Sequence, residues 1–426
     1  MPSSRVGRSL LLTALAVLVP LLASSAPGPR VRPKAGMPMT GRAVPELASF
    51  DRIVTGLMAK WRIPGGSVAV VKDGRLVLAR GYGWADRESR VAVEPDSLFR
   101  IASLSKSLTA AAVLKLVEEG RLRLDDKAFE LLRDLKPRPG AHVNPALREI
   151  TLRQLLQHTG GWDSEKGFDP MFQSREIAGA MGVPPPADAE TIVRYMLDKP
   201  LQFTPGTRYA YSNFGYCVLG RIIEKTTGER YEDFVRTRIL RPAGVTAMRL
   251  GRTRLQERAP KEVRYYGFPG IGLAQSVFPT GPAQVPWPYG GWFIEAMDSH
   301  GGWLASASDM ARFIDAVDGR NHGPQILRPA SIQQMTARPA PPPWKGSDNW
   351  YGMGWQVRPA GGDANWWHTG SLDGTTTLMV RASNGLTWVL FFNLRPKDAD
   401  GLTRELDDAM WQAVQQVQRW PDHDLF

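Results

Sequence analysis

Ser103-Leu104-Ser105-Lys106 places a hydroxyl and an amine three residues apart. At a helix start such residues are neighbours on one face, with Cβ atoms ~5–6 Å apart. The amine is then placed to take the hydroxyl proton and leave an activated nucleophile. Two distant segments offer the rest of a reaction centre. Tyr211-Ser212-Asn213 supplies a phenol that shuttles a proton and an amide that holds either the lysine or a substrate. If this segment is extended, its first and third side chains share a face. His368-Thr369-Gly370 reads as a strand on which His368 and Gly370 share a face and Thr369 points away. Glycine there leaves the backbone open to close ligand approach. The next N–H, on Ser371, is placed to pair with that of Ser103 as an oxyanion hole. The three segments together suit acyl transfer through a covalent ester on Ser103. Taken singly each has a bland reading: Ser103 as a helix N-cap, Tyr-Ser-Asn as a loop, His368 as a half-buried ring.

These residues need a scaffold. Residues 46–61 carry helical apolar spacing, ended by Ile63-Pro64-Gly65-Gly66. Ser67–Lys72 and Arg75–Tyr82 are β-rich and joined by Asp73-Gly74, a strong hairpin signal. A brief strand at Leu98–Ile101 leads into Ser103. Residues 103–119 predict a helix with Leu108, Ala112, Val113, Leu116 and Val117 on its buried face and Gly120 beyond its end. Helical patterns recur at 152–157, 187–198, 213–225, 230–240 and 306–317, the last starting at Ser308-Asp309. Strand patterns return at Tyr351–Arg358, Asn365–His368, Thr375–Arg381 and Leu386–Asn393, and residues 401–418 form a closing helix. Strands at both ends with helices between predict an α/β (α+β) fold. One antiparallel sheet is assembled from both chain ends and flanked by terminal helices, with a mostly α-helical insert over about 103–320. The aromatic, Gly- and Pro-rich stretch 255–302 is either a lip of the cleft or an ordered loop with its own small core.

The rest of the composition narrows the function. Arg5 and Arg8 precede an apolar run, Leu10 to Ala23, and small residues follow; 1–26 reads as a secretory signal peptide. The run is short for a membrane span. Residues 27–45 read as a disordered lead-in, and 46–420 as the folded domain. The expected location is secreted, periplasmic or cell-envelope. The formal charge of +11 is inflated by leader and lead-in arginines, and no basic stripe marks a nucleic-acid partner. Cys217, the only cysteine, falls in an apolar helical pattern and reads as a structural thiol. The six histidines show no ligand clustering, so neither metal nor other cofactor is expected. No Gly-x-Ser-x-Gly elbow is present, which disfavours an α/β-hydrolase.

Phe99-Arg100-Ile101-Ala102-Ser103-Leu104-Ser105-Lys106, Leu155–Gly161, Phe203–Gly206 with Tyr211–Tyr216, and Gly301–Ser306 together resemble the serine β-lactamase/penicillin-binding family, on its class C-like branch. The likeness runs over roughly 46–418. It implies a β-lactamase/transpeptidase-like fold, Ser103 as nucleophile, Lys106 and Tyr211 as the acid/base pair, Asn213, His368 and Gly370 at the substrate, and Ser371 lending its N–H. True class C β-lactamases carry Lys-Thr-Gly where this chain has His-Thr-Gly. That pattern is similar to some D,D-peptidases, D-aminopeptidases and esterases of the family. The expected function is an exported serine hydrolase acting on an ester or amide. The alternatives are a penicillin-binding D,D-carboxypeptidase or weak β-lactamase, or an inactive envelope-binding module. The partner is a small-molecule or peptide acyl substrate, with cell-wall peptide as one candidate.

Overall fold

The β-rich runs at the two chain ends meet in one sheet. A computed structural model describes residues 36–340, 343–344 and 346–426; the leader assigned to 1–26 lies outside the described residues. The principal sheet contains β1 (Met39–Thr40), β2 (Gly65–Lys72), β3 (Arg75–Asp86), β4 (Trp350–Tyr351), β5 (Gln356–Ala360), β6 (Asp363–Leu372), β7 (Thr375–Arg381) and β8 (Leu386–Phe392). Their spatial order is β1-β3-β2-β8-β7-β6-β5-β4, with Val91–Ala92 attached to β3. All the pairings along this path are antiparallel. The β2–β3 turn uses Asp73 and Gly74 at φ 49° and 76°, the left-handed pair that a two-residue hairpin requires. β2 lies directly against β8, with Val70 opposite Trp388, so the two chain ends are stitched together.

Two apolar layers sandwich the sheet. On the outer face, helices α1 (Ala48–Trp61) and α4 (Ala399–Gln415) bring Phe50, Val54, Met58, Leu402, Leu406 and Met410 onto Val68, Val70, Trp388 and Leu390. On the inner face, Ala69, Val71, Val389 and Phe391 join the core of the helical region. β2 and β8 are thus covered on both sides, which is why they read as unbroken apolar runs rather than alternating ones.

Helix α2 (Ser105–Glu118) lies in that inner core, and α3 (Asn213–Thr227) packs beside it. The sequence marks one buried stripe on α2, yet every residue from Ser105 to Leu114 is buried. Its polar side chains are satisfied locally: Ser107 Oγ donates to Gly354 O at 2.6 Å and Thr109 Oγ1 to Ser299 O at 2.6 Å.

Three local expectations are corrected. The folded chain reaches into the stretch read as a disordered lead-in, at least back to Met39. Met39 and Thr40 pair with Tyr82 and Gly81, and Arg80 Nη1 donates to Gly41 O at 2.5 Å; backbone pairing of this sort leaves no mark in composition. The strand expected over Tyr351–Arg358 is broken into β4 and β5, because the intervening turn packs on α2: a Cβ on Gly354 would lie 3.0 Å from Lys106 O. The helix expected to start at Ser308-Asp309 starts one residue earlier, at Ala307, capped by Ser306, whose Oγ accepts from Asp309 N.

Candidate active site

Ser103 sits in a short 3₁₀ turn, Ala102–Leu104, that runs into α2. Ala102 has φ 48°, a left-handed conformation that a residue with a Cβ adopts only when its surroundings impose it. The sheet imposes it. Thr375 Oγ1 donates to Arg100 O at 2.9 Å and Thr377 Oγ1 to Ile101 O at 3.0 Å. Ile101 N donates to Trp303 O at 2.9 Å. β6 passes equally close. A Cβ on Gly370 would lie 2.5 Å from Ile101 O and 2.2 Å from Thr377 Oγ1. Gly370 is therefore required by the approach of the strand to the Ser103 turn, and not, as its sequence suggested, by a ligand. Gly370→Ala should lower stability by about 1–3 kcal/mol through overpacking. A denaturation midpoint matching that of the parent protein would refute this.

Lys106 is fully buried. Its Nζ lies 3.1 Å from Ser103 Oγ, 2.7 Å from Asn213 Oδ1 and 3.1 Å from His300 O. The Tyr211 ring centroid is 4.6 Å away. Burial pushes the ammonium down to about 7, opposed by the negative charge of Asp169. A neutral amine has two N–H donors and one lone pair. Two of its three neighbours, the Asn213 amide oxygen and the His300 carbonyl, only accept. They take both N–H groups, and the lone pair is left facing Ser103 Oγ–H. Helix α2 has no side-chain N-cap bond, so Ser103 Oγ is not spent on capping.

Tyr211-Ser212-Asn213 is not a strand. Ser212 caps α3, its Oγ accepting from Gly215 N at 3.2 Å, and Asn213 is the first residue of the helix. The turn into the helix still aims both side chains at Lys106. Burial holds the Tyr211 phenol well above its ordinary range, and its hydrogen bond with Ser103 opposes that shift, so the phenol stays protonated. Asn213 Nδ2 donates to Asp169 Oδ2 at 2.6 Å. Asp169 also accepts from Met171 N at 3.0 Å, and burial raises its carboxyl. It lines a cavity of about 220 Å³ with Trp162, Phe168, Met196 and Phe214. Sequence reasoning missed Asp169, since an Asp before a Pro reads as an ordinary turn cap, a role it also fills.

His368 reaches the site by a different route from the one its sequence suggested. Its ring is buried, with Nδ1 2.6 Å from Thr369 O and Nε2 2.9 Å from Tyr351 Oη. Burial, and then the Lys106 charge, push it down to about 3. The neutral ring therefore donates from Nδ1 and accepts at Nε2, so both nitrogens are engaged by the protein. Direct substrate binding by this ring is corrected to bracing of Tyr351. His158, whose ring centroid is 4.4 Å from those of Tyr211 and Tyr351, supports the same cluster, its Nδ1 accepting from Ser212 N. β5 leaves β6 at Trp367, so His368–Leu372 has no strand on that edge among the described residues. Ser371 lies exposed on this stretch, next to Gly370 and hence beside the Ser103 turn. Thr369 faces the other way, as expected, into a hollow on the outer face with Trp367 and Trp411.

The aromatic stretch 255–302 proves in large part to be local core. Arg100 is 1% exposed and sits among the rings of Tyr265, Tyr289 and Trp292 at 4.4, 5.6 and 5.5 Å. It donates to Pro288 O and Arg252 O at 2.6 Å each and lies 3.6 Å from Glu262. This clamp fixes the strand that delivers Ser103. Arg100→Met would strand the Glu262 carboxylate and two carbonyls in the core, and should cost about 3–5 kcal/mol. Chemical denaturation measures it; a loss under 1 kcal/mol would contradict the clamp. Cys217 is fully buried and burial raises its thiol, as a structural residue requires.

A family model described as Beta-lactamase matches residues 50–410. Protein flp of Staphylococcus aureus (strain COL) is 30% identical over 197 residues, 46% of this chain and 37% of its own length. The chain thus spans little more than a third of the first curated relatives it matches. Penicillin-binding protein 4* of Bacillus subtilis (strain 168) is 26% identical over 357 residues, 83% of this chain and 72% of its own. Among solved structures, D-amino acid amidase from Ochrobactrum anthropi SV3 aligns with TM-score 0.67 at 24% identity, covering 88% of this chain and 99% of its own. The octameric penicillin-binding protein homologue from Pyrococcus abyssi aligns with TM-score 0.66 at 24% identity, covering 88% and 79%. These last two establish the shared fold.

Proposed function

Since this chain belongs to the beta-lactamase family, we propose that it is a serine hydrolase that cleaves an ester or amide through a covalent acyl-Ser103 intermediate. The observation that carries this reading is the hydrogen-bond census at Lys106 Nζ, which leaves one lone pair for the Ser103 proton. In the forward step the amine takes that proton as Oγ bonds to the substrate carbonyl carbon. The backbone N–H groups of Ser103 and Ser371 receive the oxyanion. Tyr211, kept protonated by burial, donates to the departing oxygen or nitrogen and is reprotonated from Lys106. Water then attacks the acyl-enzyme, with the amine again as base, and Ser103 is restored.

A second reading, a penicillin-binding D,D-carboxypeptidase, is favoured by the free edge of β6, which suits an extended peptide, and by the likeness to penicillin-binding protein 4*. Against it stands the neutral, fully engaged His368, which offers no cation to a substrate carboxylate. A profile of a short p-nitrophenyl ester, a D-Ala-D-Ala peptide and fluorescent penicillin separates the two. The first reading expects ester turnover with weak penicillin labelling. Rapid labelling and peptide release without ester turnover would replace it by the second. Export follows from the leader pattern of residues 1–26, and a secreted or periplasmic location is proposed on that ground; N-terminal sequencing of the mature protein that still begins at Met1 would exclude cleavage.

A further inference from the structure

A lone pair free for Ser103 requires Asn213 to present oxygen rather than nitrogen to Lys106, and an Asn side chain is nearly symmetric in shape. A flipped amide would place its NH₂ against Lys106. There it would donate to the neutral amine's lone pair, the site needed for the Ser103 proton. What prevents the flip is the partner on the far side. An ionised carboxylate only accepts, so Asp169 Oδ2, at 2.6 Å, binds the Asn213 NH₂ and repels its oxygen. The His300 carbonyl, the other acceptor at Nζ, is backbone and has no such freedom.

We propose that Asp169 is a positioning residue for acylation: its carboxylate locks the Asn213 amide with Oδ1 toward Lys106 and sets a negative charge behind the base. This rests on the acyl-Ser103 reading above. Asp169 has no Arg or Lys ion-pair partner among the described residues. The other groups around Lys106 carry no charge that competes over the working range. His158 and His300 are held well below 6.5 and His368 near 3 by burial, and Tyr211 and Tyr216 are held above 10. Asp169 is thus the one nearby charge acting on the amine, and it favours the ammonium.

Asp169→Asn tests both parts. The new amide is the same size but can turn either way, so Asn213 loses its enforced orientation. With p-nitrophenyl acetate and the full mature chain, plateau kcat should fall roughly 10–100-fold with KM little changed. The acidic limb of the pH profile should move to lower pH, because the charge that favoured the ammonium is gone. Asp169→Glu should restore part of the rate. In an Asn213→Ala background, Asp169→Asn should lower plateau kcat no further, while still moving the acidic limb to lower pH. A purely structural role predicts a lower melting temperature with an unmoved limb, and would overturn the proposal, as would additive losses of plateau kcat in the double variant. A direct titration of Lys106 by ¹⁵Nζ NMR in Ser103→Ala protein needs no substrate. A midpoint shifted downward by Asp169→Asn supports the proposal even if the hydrolase reading fails, and an unshifted one overturns it.

Discussion

Replacing Ser103 by Ala should lower kcat for a p-nitrophenyl ester by roughly 10⁴–10⁶-fold while leaving the melting temperature close to that of the parent. The rate falls because no other oxygen in the site has both an adjacent amine lone pair and a phenol donor. The fold survives because the hydroxyl is tied only to Lys106 and Tyr211, and the strained turn is held by Thr375 and Thr377 through backbone carbonyls. The check is a comparison of purified wild type and variant on the same ester. Equal turnover by the two proteins would remove the covalent mechanism.

The second large effect concerns Lys106 and pH. The reactive form is the neutral amine, and burial pushes its ammonium down to about 7. Protonation below that value fills the lone pair. Wild-type kcat/KM should therefore fall about tenfold per pH unit below pH 7 and level off above it. Lys106→Arg keeps a cation but cannot deprotonate. It should lose roughly 10²–10⁴-fold in the plateau and lose the acidic limb with it. Tyr211 contributes no limb below about pH 10, since burial moves it upward. A flat wild-type profile between pH 5 and 9, or an Lys106→Arg variant of undiminished rate, would show that the base lies elsewhere.

The parts of this site differ in how far they could be read in advance. Ser103 and Lys106 were legible because their relation is local: three residues along a helix fix their proximity whatever the fold. Tyr211 and Asn213 were legible as a motif, though through the wrong backbone. They project from a helix start rather than a strand, and both geometries bring side chains at this spacing toward a common target. His368 was legible as a member of the site and misread in role. Whether a ring contacts substrate or a neighbouring phenol depends on Tyr351, seventeen residues away across the β4–β5 turn. Gly370 was read for a ligand because sequence does not show that Ile101 O and Thr377 Oγ1 occupy the space a methyl would need. Asp169 left no signal at all, since its partner Asn213 is distant along the chain.

The amino-acid sequence by itself determined the order of strands and helices, the hairpin at Asp73-Gly74 and the pairing of the Ser103 hydroxyl with the Lys106 amine, because periodicity, turn chemistry and short-range spacing act within a few residues. Only the tertiary structure decided that Lys106 would be stripped of water, that its two N–H groups would meet two obligate acceptors, and that Asp169 would stand behind Asn213. Burial and hydrogen-bond complementarity are properties of groups brought together from far apart, and they appear only once the chain has closed around them.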